Sequence, residues 1–199
     1  MIRIAAFALS ALMLFFAQAG RAVEPEKIVE KLQNGGLVIV MRHANAPRDL
    51  PSEEEGARRN FALERQLSES GQLAATDMGL SWRSAGIHIS AIYSSPAFRA
   101  EQTSRHAGYG TPQLVVELDS GSANTPEGKE WLRFQAGRRV GLGNRLIITH
   151  AGNISAAFGD EGRAMADGEA LIIEPGPEGP TVLGRIGINS WPDLLLRQR

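Results

Sequence analysis

The sequence predicts a three-layer α/β/α domain with a mainly parallel central sheet. Apolar runs of strand length alternate with amphipathic stretches of helix length, in the order that builds parallel strands joined by helical crossovers. Leu37-Val38-Ile39-Val40-Met41 is apolar without alternation, the pattern of a strand covered on both faces. The chain closes on two strand-like runs flanking a Pro/Gly-rich turn, which adds a terminal hairpin. With 199 residues, 43% hydrophobic and 22% charged, one domain with one sizeable core is expected.

The first segment is read apart from the fold. Met1-Ile2-Arg3 gives a positive start, Ile4 to Ala17 is apolar but short for a bilayer span, and small residues follow at Ala17-Gln18-Ala19 and Gly20-Arg21-Ala22. Residues 1–22 therefore read as a secretory signal peptide cleaved near 19 or 22, with the folded domain at 23–199. The expected location is the periplasm or the exterior, with no stable membrane insertion after cleavage.

Pro25 to Asn34 places Ile28, Val29 and Leu32 on one face, has Pro at its start and stops at Gly35-Gly36, so it is a short helix. The Leu37 to Met41 strand follows, and Pro47 to Asn60 is polar loop. Ser68-Glu69-Ser70 caps a helix to about Ser84, with Leu73, Met78, Leu80 and Trp82 among its apolar positions and Gly86 just past its end. Ile87 to Tyr93 is a second strand. Ser94-Ser95-Pro96 supplies a cap and a first-turn Pro, so a helix carrying Arg99 starts there. Leu114-Val115-Val116 is a short third strand, Thr125-Pro126 opens a helix to about Arg139, and Arg145 to Thr149 is a fourth strand. Ala170 to Ile173 and Thr181 to Ile186 form the terminal pair.

Composition limits the chemistry. There are 21 Lys and Arg against 22 Asp and Glu, and the net charge of -1 gives no bulk attraction to nucleic acid, so no nucleic-acid partner is expected. Without cysteine, disulfides, thiolate nucleophiles and cysteine metal sites are excluded. No Gly-x-x-x-x-Gly-Lys loop, Gly-x-Gly-x-x-Gly turn or His-Glu-x-x-His helix occurs, and neither a cofactor nor a metal is expected. His, Arg, carboxylates and hydroxyls must carry any reaction.

Ligands of open α/β sheets bind outside the carboxyl ends of the strands. The first strand exits into Arg42-His43, the second through Ser94-Ser95-Pro96 toward Arg99, and the fourth into His150 with Ala151-Gly152-Asn153. If these strands are parallel neighbours, two histidines and two arginines converge. Guanidinium forks match phosphate oxygens bidentately, and neutral imidazole can accept a phosphoryl group. A carboxylic acid must then protonate the leaving alkoxide. His88, in a strand, and His106, near a helix end, have no such placement and read as structural.

Val40-Met41-Arg42-His43-Ala44 resembles the signature of the histidine phosphatase superfamily, the phosphoglycerate mutase-like fold, with Ala44 where Gly is usual. The resemblance continues through Leu67-Ser68-Glu69-Ser70-Gly71-Gln72, through Ser94-Ser95-Pro96-Ala97-Phe98-Arg99-Ala100-Glu101-Gln102-Thr103, and through Thr149-His150-Ala151-Gly152-Asn153, in family order. It implies His43 as the phosphorylated nucleophile, Arg42 and Arg99 as phosphate clamps, and His150 as the second histidine of the phosphate pocket. Family members commonly carry a Glu acid where this chain has Ser120, which leaves Asp119 and Glu117 as candidates; Arg48 and Asn153 border the pocket. A short chain with an export signal is similar to periplasmic lipopolysaccharide core heptose phosphatases. The implied activity is a metal-independent phosphomonoesterase acting on a phosphorylated small molecule or glycan. The alternatives are a catalytically silent phospho-ligand-binding protein of the same fold and a phosphoglycerate mutase-like phosphotransferase.

Overall fold

The computed structural model describes residues 23–49 and 59–197. The expected signal peptide and most of the Pro47 to Asn60 loop lie outside the described residues. The elements are α1 (Pro25–Asn34), β1 (Val38–Arg42), α2 (Glu69–Ser84), β2 (Ile89–Ser94), α3 (Phe98–His106), β3 (Gln113–Leu114), α4 (Pro126–Gly137), β4 (Asn144–Thr149), α5 (Ala151–Phe158), β5 (Ala170–Glu174), β6 (Thr181–Ile186) and α6 (Trp191–Leu196). No helix among the described residues is long and apolar enough to cross a membrane.

The sheet order is β3-β2-β4-β1-β5-β6. The first four strands in that order are parallel, and β5 and β6 complete a mixed sheet as an antiparallel hairpin beside β1. The period of two explains the unbroken apolar runs. Ile39 and Met41 of β1, Leu146 and Ile148 of β4, and Ala170 and Ile172 of β5 face one layer, packed with Ile28 and Leu32 of α1, Met78 and Trp82 of α2, and Trp191 of α6. Val38, Val40, Ile147, Leu171 and Ile173 point the other way, onto Leu132 of α4 and Ile154 and Phe158 of α5. Trp82 and Trp191 meet edge to face at 5.1 Å, closing the first layer.

Several local expectations change in the folded chain. Met78 and Trp82 are buried, but Leu73 and Leu80 are exposed, because they lie on the outer face of α2. The third strand is only Gln113–Leu114; Val116 instead enters a 3-10 turn, Val116–Leu118. The helix expected at Ser94-Ser95-Pro96 begins at Phe98, with Ala97 as an N-cap whose side chain makes no capping bond. The first helical N–H is met from elsewhere: Phe98 N donates to the Glu64 carboxylate at 2.7 Å. Two further helices, α5 directly after His150 and α6 at the end of the described chain, complete the layers.

Two caps hold as the sequence implies. Ser68 Oγ accepts from Gly71 N at 3.0 Å, and Thr125 Oγ1 accepts from Gly128 N at 3.1 Å. Gly71 has a tertiary reason as well, since a Cβ there would come within 2.2 Å of the Asn45 carbonyl oxygen. Helix α2 thus rests on the backbone just beyond His43.

Candidate active site

The parallel register brings the three strand exits level. Arg42 pairs with Thr149, and Ser94 pairs with Ile148. The ladder runs on past the strands, with His43 N donating to Thr149 O at 3.0 Å and Ser95 N to Ile148 O at 2.9 Å. His43, Ser95 and His150 therefore emerge side by side at the carboxyl edge of β1, β2 and β4.

Arg99, in the first turn of α3, joins the histidines. Its Nε donates to His43 Nε2 at 3.2 Å and its Nη2 to His150 Nδ1 at 3.2 Å. The two rings lie 5.3 Å apart between centroids, inclined at 66°. His43, Arg99 and His150 are only 3%, 2% and 6% exposed, so this polar cluster is desolvated.

The hydrogen bonds fix both tautomers. His43 Nδ1 donates to its neighbour Ala44 O at 2.8 Å, which leaves Nε2 with a lone pair facing Arg99. Because a guanidinium can only donate, His150 Nδ1 is an acceptor, and its Nε2–H is directed to Ser95 Oγ at 2.9 Å. Both rings are held neutral. Burial pushes the His43 pKa down to about 3, opposed by the Ala44 carbonyl and reinforced by Arg99, Arg42 and Arg65. Burial likewise lowers His150 well below its usual value, aided by His43 and the same three arginines.

The remaining sequence candidates separate. Arg42, at the end of β1, donates Nη1 to Met165 O at 2.7 Å and pairs Nη2 with Asp167 at 2.6 Å. Asp119 is buried, and its carboxylate accepts from Ser120 N at 2.8 Å. Asn153, also buried, donates Nδ2 to the Asp119 carbonyl at 2.8 Å, and Thr149 Oγ1 donates to Leu118 O at 2.7 Å. These bonds anchor the Leu118-Asp119 turn against the start of α5. Glu117 is half-buried in the same turn, and Arg48 stands exposed outside the buried cluster. His88 is exposed just before β2, and His106 ends α3.

Several participants were not singled out from the sequence. Ser95, expected as a helix cap, accepts from Ala97 N at 3.3 Å just before α3 and also meets His150 Nε2–H at 2.9 Å. Thr103 Oγ1 accepts from Ala44 N at 3.0 Å and donates to Arg99 O at 2.7 Å, tying the His43 turn to the Arg99 helix. Gln102 Oε1 accepts from Leu67 N at 2.9 Å and so ties α3 to the entry of α2. The Gln-Thr pair of the Arg99 segment was the available signal for both. Asp167 and the fully buried Glu64 had none, because each acts on a residue far away in the chain. Among the described residues, no group of three or more His, Asp or Glu side chains is gathered to hold a metal.

No family model matches the chain, and no curated protein matches its sequence. Solved structures do match. The protein histidine phosphatase SixA complexed with tungstate is 18% identical, with a TM-score of 0.60, covering 77% of this chain and 98% of its own. A SixA structure from Agrobacterium tumefaciens is 16% identical with a TM-score of 0.53, over 77% and 98%. A phosphoserine phosphatase mutant from Entamoeba histolytica, in complex with phosphoserine, is 12% identical with a TM-score of 0.52, over 76% and 97%. At such identities the likeness is one of architecture: the chain has the phosphoglycerate mutase-like α/β fold of the SixA structures, a six-stranded mixed sheet flanked by helices.

Proposed function

We propose that this chain is a phosphomonoesterase working through a phosphohistidine on His43. The observation that carries the reading is the contact of Arg99 with both His43 Nε2 and His150 Nδ1 inside a buried pocket. An unprotonated imidazole nitrogen, a guanidinium and a second imidazole within hydrogen-bonding reach are the parts needed to receive a phosphoryl group and stabilise its equatorial oxygens.

In the first step the His43 Nε2 lone pair attacks phosphorus, the ester P–O bond breaks, and the Asp119 carboxyl gives its proton to the departing alkoxide. In the second, water attacks the phosphoryl group, the P–N bond breaks, and Asp119 takes the water's proton, restoring His43 and releasing inorganic phosphate. Asp119 is preferred to Glu117 because the Asn153 and Thr149 bonds hold its turn against the His150 helix. The residue pattern over 1–22 supports export, so the substrate is a phosphorylated small molecule or glycan met outside the cytoplasm, and the reaction uses no cofactor.

Hydrolysis of an aryl phosphate by the parent and by His43→Ala tests the mechanism. The parent should turn over and be inhibited by vanadate, with the variant at least a thousandfold slower, on the order expected for losing a nucleophile. Equal rates would overturn it. Tight phosphate binding without turnover would instead mark a silent binding protein.

A further inference from the structure

The segment before β5 grips Arg42 and His43 from several sides. Arg42 N donates to Glu169 O at 3.0 Å, Gly168 N donates to His43 O at 2.9 Å, and the Arg42 side chain reaches Met165 O and Asp167. Asp167 is itself aimed, because its second oxygen accepts from Asn45 Nδ2 at 3.0 Å. The Arg42 and Asp167 side chains are 16% and 29% exposed, so the pair is partly open to solvent.

The segment is braced. Arg185 donates to Glu169 through Nε at 2.9 Å and to Arg163 O through Nη1 at 3.0 Å. The Glu169 carboxylate also accepts from Ala166 N at 2.8 Å. Ala164 has a φ of 52°, a left-handed value that a non-glycine residue rarely adopts. Gly168, at φ 72°, lies so close to Ile188 that a Cβ would come within 2.7 Å. The bracing fixes where one carboxylate stands relative to one phosphate-clamp arginine.

We propose that Asp167 is the resident counter-ion of the phosphate pocket, aiming Arg42 while competing with the bound phosphate for it, and so setting how tightly phosphate is held and how fast it leaves. This rests on the phosphatase reading given above. A guanidinium whose charge is already matched presents less net field to an incoming dianion, and a carboxylate and a phosphate sharing one guanidinium repel each other. Aiming alone and counter-charge predict opposite signs. If Asp167 only positions Arg42, removing it loosens anion binding. If its charge competes, neutralising it at constant shape tightens binding.

The test uses the intact protein, with inorganic phosphate and vanadate as probes in calorimetry and in competitive inhibition of aryl phosphate hydrolysis. Asp167→Asn should bind both roughly tenfold more tightly than the parent, the size expected for one partly screened neighbouring charge. KM should fall, product inhibition should strengthen, and the difference should shrink at high salt. Asp167→Ser is a second neutral variant should the first fail to fold. Unchanged or weaker phosphate binding in a folded neutral variant overturns the role of Asp167 and leaves the phosphatase reading intact. A parent that binds neither probe overturns that reading, and the role of Asp167 with it.

Discussion

Arg99 donates its Nε–H to Nε2 of His43 at 3.2 Å, so the proposed phosphate clamp and the proposed attacking atom are in direct contact in the folded chain. In the proposed mechanism a phosphoryl group bonded to Nε2 would replace that contact and leave the guanidinium beside the equatorial oxygens. The same side chain reaches His150, which makes Arg99 the hub of the pocket.

Arg99→Lys should therefore fail despite keeping the charge, because an ammonium cannot span both rings with a rigid fork. A loss in kcat/KM of about a hundredfold to a thousandfold is expected, the range for deleting one preorganised donor to a transition state. Steady-state kinetics with a circular dichroism control checks this. Activity within fivefold of the parent would show that Arg99 is not the clamp.

The acid assignment is read from leaving-group dependence. Asp119→Asn should cost about a hundredfold or more with alkyl phosphates, whose alkoxides need a proton, and far less with a nitrophenyl phosphate, whose anion leaves unaided. Glu117→Gln should stay near the parent on both. The reverse pattern would move the acid to Glu117.

The two buried histidines give stability a defined pH dependence. His43 titrates near 3 in the folded chain against 6.5 in the unfolded one, and His150 is shifted the same way. Above about pH 6.5 both are neutral in either state and add no slope. As pH falls from there toward 3, the unfolded chain takes up a proton that His43 in the folded chain refuses, so stability falls by about 1.4 kcal/mol per pH unit on its account, and His150 adds to the fall in the same direction. Urea unfolding across pH 4 to 7 measures the slope, which His150→Gln should reduce. An unchanged slope in that variant would mean that His150 is not held neutral by burial.

Helix α2 offers a structural check. Ser68→Ala removes the cap and the Ser68 Oγ bond to Asn45 Oδ1, at a cost of about 1 kcal/mol, and adds no bulk beside Asn45, so kcat should change less than in Gly71→Ala. Gly71→Ala should cost about 1–3 kcal/mol by overpacking, and it should also lower activity, because its methyl group pushes on Asn45 beside Asp167 and Arg42. Thermal melts and kinetics on the two variants separate these effects.

The pocket was legible in the sequence wherever a functional residue sits next to a strand end. Arg42-His43 and His150 follow apolar runs of buried-strand pattern, and Arg99 lies in the first turn of the helix after β2, so adjacency along the chain implied adjacency in space. Ser95 was visible but only half of its role was: its hydroxyl accepts from Ala97 N ahead of α3, which starts at Phe98, and it also meets the His150 ring, a contact made through space. Val116 was β-branched and strand-like by composition, but it bends into the turn that delivers Asp119.

The sequence by itself determined the layers, the parallel core strands and the chemical identity of the cluster, because periodicity and strand exits are local properties of the chain. Only the tertiary structure decided how those groups are tuned. The neutral state of His43 and His150 comes from burial among three arginines, and the pairing of Arg42 with Asp167 joins residues separated in the chain by every element from α2 to α5. Desolvation and through-space charge depend on what the fold packs around a group, and spacing along the chain carries no record of them.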